Sequence, residues 1–324
     1  MRKLIFIVCI GATFFGLKPA FAQQDAQFSY YMMNKLFYNP AFAGTEGLTK
    51  ITLLHRSQWA GYNPTFDDGG APTTQVFSVT SPIYKFKSGF GVHVVNDNLG
   101  PLNNLEVQAS YAYHLGIKNS KLSFGVRMGV FSQSIGKGEY RFIDAGDPVI
   151  LQSSESQVRP DLALGVYFRN EKYYAGLSFN HLLNSEFDFG VPIRNALETH
   201  AYFMFGYIHR VNFDLVLEPS MMVSTDFNEY SFILGGMAYY KEQMWGGVTF
   251  RQSEDINVLL GYNFLKDKSL SFGYSFGYVV RDQDAKQPTT HEFLLSYQLP
   301  VNPGASKRVV RTPRYRHDYV CFNR

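Results

Sequence analysis

Alternation of apolar and polar residues with a period of two is the feature that most constrains the fold of this chain. In residues 269–278, Leu270, Phe272, Tyr274, Phe276 and Tyr278 alternate with serine and glycine without a break. A helix would place apolar residues three or four positions apart, so this pattern predicts a strand with one apolar and one polar face. Similar segments predict about fourteen strands of roughly ten residues, the length that a tilted strand needs to cross a bilayer. The strands are expected near residues 51–56, 74–80, 89–96, 105–113, 122–130, 162–168, 173–180, 201–208, 213–223, 231–240, 244–251, 256–264, 269–278 and 293–299.

The residues on the polar face distinguish a membrane barrel from a soluble barrel or sandwich, because all of these folds alternate. A soluble sheet presents lysine, glutamate and threonine to water, whereas the polar positions here hold mostly glycine, serine, alanine, asparagine and glutamine. Only 18% of the residues are charged, against about 25% in ordinary soluble domains. The scattered ionic residues of this face are expected to line a lumen: Glu106, Arg127, Asp161, Arg169, Asp214, Glu218 and Arg251. The sequence therefore predicts an all-β protein, a transmembrane antiparallel β-barrel of about fourteen strands whose apolar face meets lipid.

Connection lengths support this fold and predict its orientation. Short links are expected near residues 82–87, 116–120, 170–171, 210–211, 241–242 and 266–267. Longer or more polar loops are expected at 57–72, 97–101, 134–160, 181–198, 224–228, 252–255 and 281–288. Outer-membrane barrels have short periplasmic turns and longer external loops. The first connection along the chain is a longer loop, and the strand number is even. Both termini are therefore predicted to lie in the periplasm, at the end with the short turns.

The first 22 residues predict export from the cytoplasm. Arg2 and Lys3 precede an apolar run that ends at the small-x-small site Ala20–Ala22, so residues 1–22 are interpreted as a signal peptide. Its cleavage removes Cys9 and leaves Cys321 as the single cysteine, so a disulfide cannot hold the mature chain together. A closed hydrogen-bonded sheet is another way to stabilise it. The expected organisation is a signal peptide (1–22), an N-terminal segment (23–48), an outer-membrane barrel (49–300) and a basic tail (301–324).

The stretch Gln24–Gly44 precedes the first strand and is rich in aromatic residues. It is too apolar for a solvated arm and too short for a domain, so it must dock on a surface that the later chain provides. Asn39-Pro40 disfavours helix at Asn39, and Gly44 allows the backbone to turn into the first strand. We expect a short helix or an irregular plug over 29–37, placed at the periplasmic mouth of the barrel.

The same stretch resembles the N-terminal signature of the PorP/SprF family, outer-membrane proteins of the type IX secretion and gliding machinery of Bacteroidetes. The resemblance is carried by Gln24-Asp25, Phe28-Ser29, Tyr31-Met32, Asn34, Asn39-Pro40-Ala41 and Ala43-Gly44, with mild departures at Ala26, Tyr30 and Phe42. Further matching positions are Arg56, Gln58, Trp59, Gly61, Pro72–Gln75, Gly89, Gly91, Asn96-Asp97, Gly100 and His291-Glu292. The resemblance spans nearly the whole mature chain.

This resemblance implies a non-enzymatic role at the outer membrane. The expected partners are outer-membrane lipid, a secreted substrate or surface adhesin, and periplasmic components of type IX secretion; no nucleic acid is expected. The candidate partner-binding residues are Phe28, Tyr31, Asn34, Asn39, Pro40, Gly44, Arg56, Gln58 and Trp59. For Arg56, Gln58 and Trp59, a structural role at the end of the first strand, as lumen hydrogen bonds and a membrane-interface anchor, is the competing interpretation.

The segment after residue 300 breaks the alternating pattern and is basic. Its cationic residues include Lys307, Arg308, Arg311, Arg314 and Arg316, interleaved with aromatic residues. A charge run is usually a solvated tail. A periplasmic docking arm for an acidic partner is the alternative.

Catalytic and metal sites are not predicted, and no cofactor is expected. The candidate histidines are His93, His114, His181, His200 and His291, but the sequence holds neither H-x-x-x-H nor C-x-x-C. Its G-x-S-x-G match, Gly273–Gly277, lies within an alternating strand pattern, whereas a catalytic serine of this motif needs a strand-to-helix turn. An open diffusion channel is the main alternative function, because about fourteen strands enclose enough space for water. Against it, lumen charges can pair with one another, and the N-terminal stretch can plug the mouth.

Overall fold

The structure is a computed structural model that describes residues 25–62, 70–136, 155–189, 195–252, 254–265, 267–280 and 287–299. The predicted signal peptide (1–22) and basic tail (301–324, with Lys307, Arg308, Arg311, Arg314 and Arg316) lie outside the described residues.

The described chain consists almost entirely of β-strands. They are β1 (Lys50–Ser57), β2 (Thr73–Ile83), β3 (Ser88–Leu99), β4 (Leu102–Ile117), β5 (Ser120–Ile135), β6 (Glu155–Arg169), β7 (Tyr173–Asn180), β8 (Glu186–Phe187), β9 (Asn195–Ala196), β10 (His200–Tyr207), β11 (His209–Arg210), β12 (Leu215–Thr225), β13 (Tyr230–Tyr240), β14 (Met244–Arg251), β15 (Asp255–Phe264), β16 (Leu270–Val279) and β17 (Thr289–Gln298).

Fourteen of these strands form a closed antiparallel barrel, as the alternation predicts. Strands that follow one another in sequence are hydrogen-bonded neighbours, and β10 pairs directly with β12. The first and last strands close the barrel, with Lys50 opposite Gln298 and Ser57 opposite His291. The short β8 and β9 form a separate hairpin within the 181–199 loop, and β11 extends the pairing with β12.

The two ends of the barrel differ in their connections. At the terminal end, where β1 begins and β17 ends, the links are short: 84–87, 118–119, 170–172, 208–214 (which contains β11), 241–243 and 265–269. At the opposite loop end, the connections at 58–72, 136–154, 181–199 and 280–288 are longer, whereas those at 100–101, 226–229 and 252–254 are as short as the turns of the terminal end. The longest connections therefore lie at the loop end, as predicted, but the loops there are not all long. Both ends of the barrel sequence lie at the terminal end.

Side-chain burial alternates along the strands with the predicted parity. On β4, Glu106, Gln108 and Ser110 are buried. Val107, which lies between the first two, and Tyr111, which follows the third, are more than 40% exposed. The polar face therefore points inward, and the aromatic and aliphatic face forms the outer surface of the barrel. An apolar outer face is what a membrane barrel presents to lipid.

Residues 25–47, here called the inner segment, are packed inside the barrel. Phe28, Tyr30 and Tyr38 are completely buried, in one core cluster with inward-facing residues of many strands. Its only regular elements are a single helical turn, α1 (Lys35–Tyr38), and a 3-10 turn at Pro40–Phe42, so the predicted short helix begins later than expected. No helix in the described part of the chain is long and apolar enough to cross a membrane.

The course of the inner segment differs from the expectation that the N-terminal stretch lies at the mouth beside the C-terminal tail. Its last part does lie at the terminal end, where Gly44 donates its backbone N–H to Thr80. Its first part lies at the loop end, where Asp25 contacts His181, the residue that follows β7. The segment therefore runs the length of the interior. The number and order of the strands predict at which end of the barrel β1 begins, but they do not constrain the chain before β1.

Candidate functional site

The contacts of the inner segment with the barrel wall form the candidate site. Near the loop end, Glu292 on β17 accepts hydrogen bonds from the backbone N–H and hydroxyl of Ser29, at 2.8 and 2.9 Å. Arg56 on β1 lies 3.2 Å from the same carboxylate and also donates to the backbone carbonyl of Gln27. Arg56 and Glu292 are both buried, so each desolvated charge needs an opposite charge nearby, and Arg56 has a second one in the buried Asp255 at 3.7 Å. This pair, here called the loop-end clamp, connects the first and last strands to the inner segment.

Asn39 attaches the middle of the inner segment to β6 and β7. Its side-chain amide donates to the carbonyls of Val166 and Leu177, at 3.0 and 3.3 Å, and its oxygen accepts the backbone N–H of Ala41 at 2.9 Å. The last bond caps the 3-10 turn that Pro40 begins. One asparagine thus shapes the segment and fixes it to the wall, which gives the predicted Asn39-Pro40 pair a structural role.

Glycines on the wall make this close approach possible. A Cβ atom on Gly125 would lie 2.1 Å from the backbone nitrogen of Ala41, and one on Gly89 would lie 2.1 Å from the carbonyl oxygen of Ala43. Gly44 has φ of +68° and would meet Gly89 in the same way. The small residues on the polar face are therefore the docking surface of the inner segment.

Lys35 is buried deep in the interior. Its ammonium lies 3.8 Å from the ring centre of Tyr174 and 3.8 Å from Oε1 of Glu218, which also accepts a hydrogen bond from the Tyr174 hydroxyl. Burial lowers the pKa of Lys35 to about 8, although Glu218 acts in the opposite direction. The segment thus carries a cation whose protonation is sensitive to mildly alkaline pH.

Most of the residues predicted to line the lumen do face inward. Arg127 donates to the carbonyl of Phe37 at 2.6 Å, and Arg251 lies 3.0 Å from Glu254. Glu106, Asp161, Arg169 and Glu218 are also buried. Arg127 and Glu218 contact the inner segment, whereas Glu106, Asp161 and Arg251 contact other residues of the barrel and its loops.

Asp214 is the exception among the predicted lumen charges. It lies exposed in the turn between β11 and β12 at the terminal end. The strand begins at Leu215, two residues later than the alternating pattern suggested, so Asp214 precedes the barrel wall.

The remaining candidate partner-binding residues fall into two places. Phe28 packs edge-on against Phe37, and the Tyr31 hydroxyl lies 2.7 Å from Ser220. Seven candidate partner-binding residues are buried inside the barrel: Phe28, Tyr31, Asn34, Asn39, Pro40, Gly44 and Arg56. Gln58 and Trp59 lie at the loop end, where Gln58 donates to Glu254 at 2.9 Å. Six of the buried residues belong to the inner segment, and Arg56 belongs to the barrel wall.

A histidine cluster lies where the inner segment begins. Nε2 of His181 is 2.9 Å from Oδ1 of Asp25, and its Nδ1 is 3.2 Å from Oδ2 of Asp161. Burial alone would lower the pKa of His181, but the carboxylates of Asp25 and Asp161 outweigh it and raise the pKa to about 10. Burial would likewise raise the pKa of Asp25, but His181 and His200 hold it well below its ordinary value. His181 adopts a φ of +58°, an uncommon backbone conformation for a residue with a side chain.

Sequence reasoning missed part of this site. From the sequence, Glu292 is only a matching motif position, and His181 and His200 are only candidate catalytic histidines. The sequence separation of Asp25 from His181 and His200 hides their proximity, because barrel closure and the course of the inner segment create it. The motif match at His291-Glu292, beside the match at Arg56, was the available signal for the loop-end clamp.

Comparison with known proteins identifies the family. The model of the type IX secretion system membrane protein PorP/SprF family matches residues 20–297. The chain belongs to the PorP/SprF family. No curated protein matches the sequence. This PorP/SprF protein is an outer-membrane component of type IX secretion, and its family and fold are those of membrane-barrel transport and secretion proteins.

Solved outer-membrane barrels share the fold of this PorP/SprF protein at low sequence identity. The Ralstonia pickettii toluene transporter TbuX is 13% identical, with 82% of this chain and 93% of that chain covered and a TM-score of 0.50. A Pseudomonas aeruginosa FadL homologue is 14% identical, with 80% and 93% covered and a TM-score of 0.45. At these identities the likeness concerns the fold alone.

Proposed function

We propose that this PorP/SprF protein is a non-enzymatic adaptor that engages a secreted substrate or surface adhesin at the loop end and links it to periplasmic secretion components at the terminal end. Family membership supports the secretion role. The observation that supports an adaptor rather than an open channel is the inner segment, which occupies the interior along its length and is held by buried bonds at both ends.

The orientation in this proposal follows from the connections. Outer-membrane barrels place short turns in the periplasm and long loops outside, so the terminal end is assigned to the periplasm and the loop end to the exterior. With this orientation, Asp25 lies towards the exterior, next to the 181–199 loop. That loop packs Phe187, Phe189 and Leu197 against the inward-facing Phe131, which makes it a folded surface that a partner can bind.

The second candidate is a diffusion channel, suggested by the inward-facing charges. The contacts of these charges argue against it. Arg127 binds the inner segment, and Asp161 binds His181 and Gln108, so these side chains are engaged with protein groups. A plugged barrel that connects partners accounts for these contacts better than an open pore does.

Photo-crosslinking in cells tests the adaptor proposal. A photoreactive phenylalanine analogue is placed at Leu183, exposed in the 181–199 loop, or at Phe213, exposed at the terminal end. Leu183 is expected to crosslink to a secreted protein and Phe213 to a periplasmic component. Crosslinks to a secreted protein from Phe213 alone would reverse the orientation, and the absence of any secreted product from Leu183 would overturn the adaptor proposal.

A further inference from the structure

Three side chains with metal-binding atoms meet inside the barrel near the loop end. Asp25 comes from the inner segment, His181 follows β7, and His200 begins β10. Their ligand atoms all lie within 4.8 Å of one another, and Oδ1 of Asp25 is 2.9 Å from Nε2 of His181. Two imidazoles and a carboxylate are a common ligand set for zinc in proteins.

Each of the two histidines has an outer partner that orients it. Nδ1 of His181 faces the Asp161 carboxylate at 3.2 Å, and Asp161 in turn accepts a 2.7 Å hydrogen bond from Gln108. Nδ1 of His200 lies 2.9 Å from the backbone carbonyl of Glu198, so it carries the proton that the carbonyl accepts. A carboxylate or carbonyl behind the far nitrogen of each histidine is the arrangement that fixes metal-ligating imidazoles.

His200 supplies an independent observation. With its proton on Nδ1, Nε2 carries a lone pair. This nitrogen is buried and has no hydrogen-bond partner among the described residues, and His200 as a whole is only 3% exposed. A buried acceptor without a partner costs free energy that a bound cation would recover.

We propose that Asp25, His181 and His200 bind a zinc ion, with a fourth coordination position left for water or a group from a partner. Two ligands at zinc-bond length in a tetrahedral site are about 3.3 Å apart, so the 2.9 Å pair needs to open by only a few tenths of an ångström. The more distant pairs, at up to 4.8 Å, close by about 1.5 Å at most to reach the same spacing.

A metal-free ion triad is the alternative arrangement. In it, a protonated His181 lies between the carboxylates of Asp25 and Asp161. That triad explains the two short contacts of His181, but it leaves Nε2 of His200 unpaired. Zinc replaces the proton between His181 and Asp25, keeps the Asp161 contact and engages His200 as well.

The ion would join the beginning of the inner segment to the 181–199 loop and to β10. Zinc would then hold the loop-end part of the segment independently of the loop-end clamp. This inference concerns metal binding alone, and it stands whether or not the adaptor proposal is correct.

The test measures zinc binding to the purified, detergent-solubilised full-length protein by equilibrium dialysis with metal analysis, after treatment with a chelator. The wild-type protein is expected to take up about one zinc ion per chain, as a single three-ligand site requires. His200→Gln should abolish this uptake. Two matched controls should retain it: His114→Gln, a buried inward-facing histidine bonded to Ser123, and His55→Gln, an outward-facing one. Asp161→Asn should weaken zinc binding by about 10–100-fold, as loss of an outer partner does.

Cobalt substitution gives a second measurement. Co²⁺ in the site should give the visible absorption of a tetrahedral complex in the wild-type protein and in His114→Gln, but not in His200→Gln. Circular dichroism confirms that each variant retains its sheet. Equal zinc uptake by the wild-type protein and His200→Gln, or no uptake by the wild-type protein, would overturn the proposal.

Discussion

A single methyl group on the barrel wall should displace the inner segment. In Gly125→Ala, the new Cβ would lie 2.1 Å from the backbone nitrogen of Ala41, whereas ordinary contacts begin at 3.4 Å. The segment and β5 must therefore separate by about 1.3 Å to restore an ordinary contact, the difference between these two distances. Overpacking of this kind costs about 1–3 kcal/mol. If the cost falls on docking of the segment, the undocked population rises by roughly 5–150-fold.

The assay for this prediction is maleimide labelling of a cysteine at Met32→Cys, in a background in which Cys321 is serine. Met32 is 4% exposed, so its labelling rate reports undocking of the segment. The rate should rise in Gly125→Ala and stay unchanged in Gly236→Ala, because a Cβ on the outward-facing Gly236 has no atom within 4 Å. Equal rates in Gly125→Ala and the wild-type protein would refute the close approach of the segment to β5.

Further predictions concern the ionic contacts of the inner segment. Glu292→Gln removes one counter-charge of Arg56, which keeps Asp255 at 3.7 Å, and the charged acceptor of Ser29. The free energy of unfolding should therefore fall by about 1.5–3 kcal/mol, as for loss of a hydrogen bond to a charged group, measured by guanidinium denaturation. Glu242→Gln, which affects a more exposed ion pair, should have little effect; equal losses in the two variants would contradict the role of the clamp. The pKa of Lys35 is about 8 in the folded chain, below the ordinary value of 10.5. Between pH 8 and pH 10.5 the unfolded chain therefore binds more protons than the folded chain does. The free energy of unfolding should therefore rise from pH 8 towards pH 9.5, by up to about 1.4 kcal/mol per pH unit. Lys35→Met should remove this rise, and an identical pH profile in the variant would refute the assignment.

The barrel could be predicted from the sequence because its cause is local. Each strand carries its own period-two pattern, and the longest connections all lie at one end of the barrel. Glu106 and Val107 on β4 point to opposite faces because successive side chains do so in any strand. Asp214 was misplaced because a strand boundary cannot be fixed within a residue or two by alternation alone.

The interior could be predicted only in part. The aromatic composition of the N-terminal stretch indicated that it must dock, and the glycines of the polar face indicated a crowded interior. The pairing of Ser29 with Glu292, and of Asp25 with His181, depends on contacts between residues far apart in sequence. These contacts follow from barrel closure and from the path of the inner segment, and no local pattern encodes either.

Conductance of the purified wild-type protein in a planar lipid bilayer tests the central claim most directly. The account predicts no steady open-channel current, because the inner segment runs through the interior from the loop end to the terminal end. It predicts a current once residues 25–47 are deleted. The deletion variant also shows that the assay detects an open barrel of this size. A large, steady conductance of the wild-type protein would contradict the plugged adaptor and favour the diffusion channel.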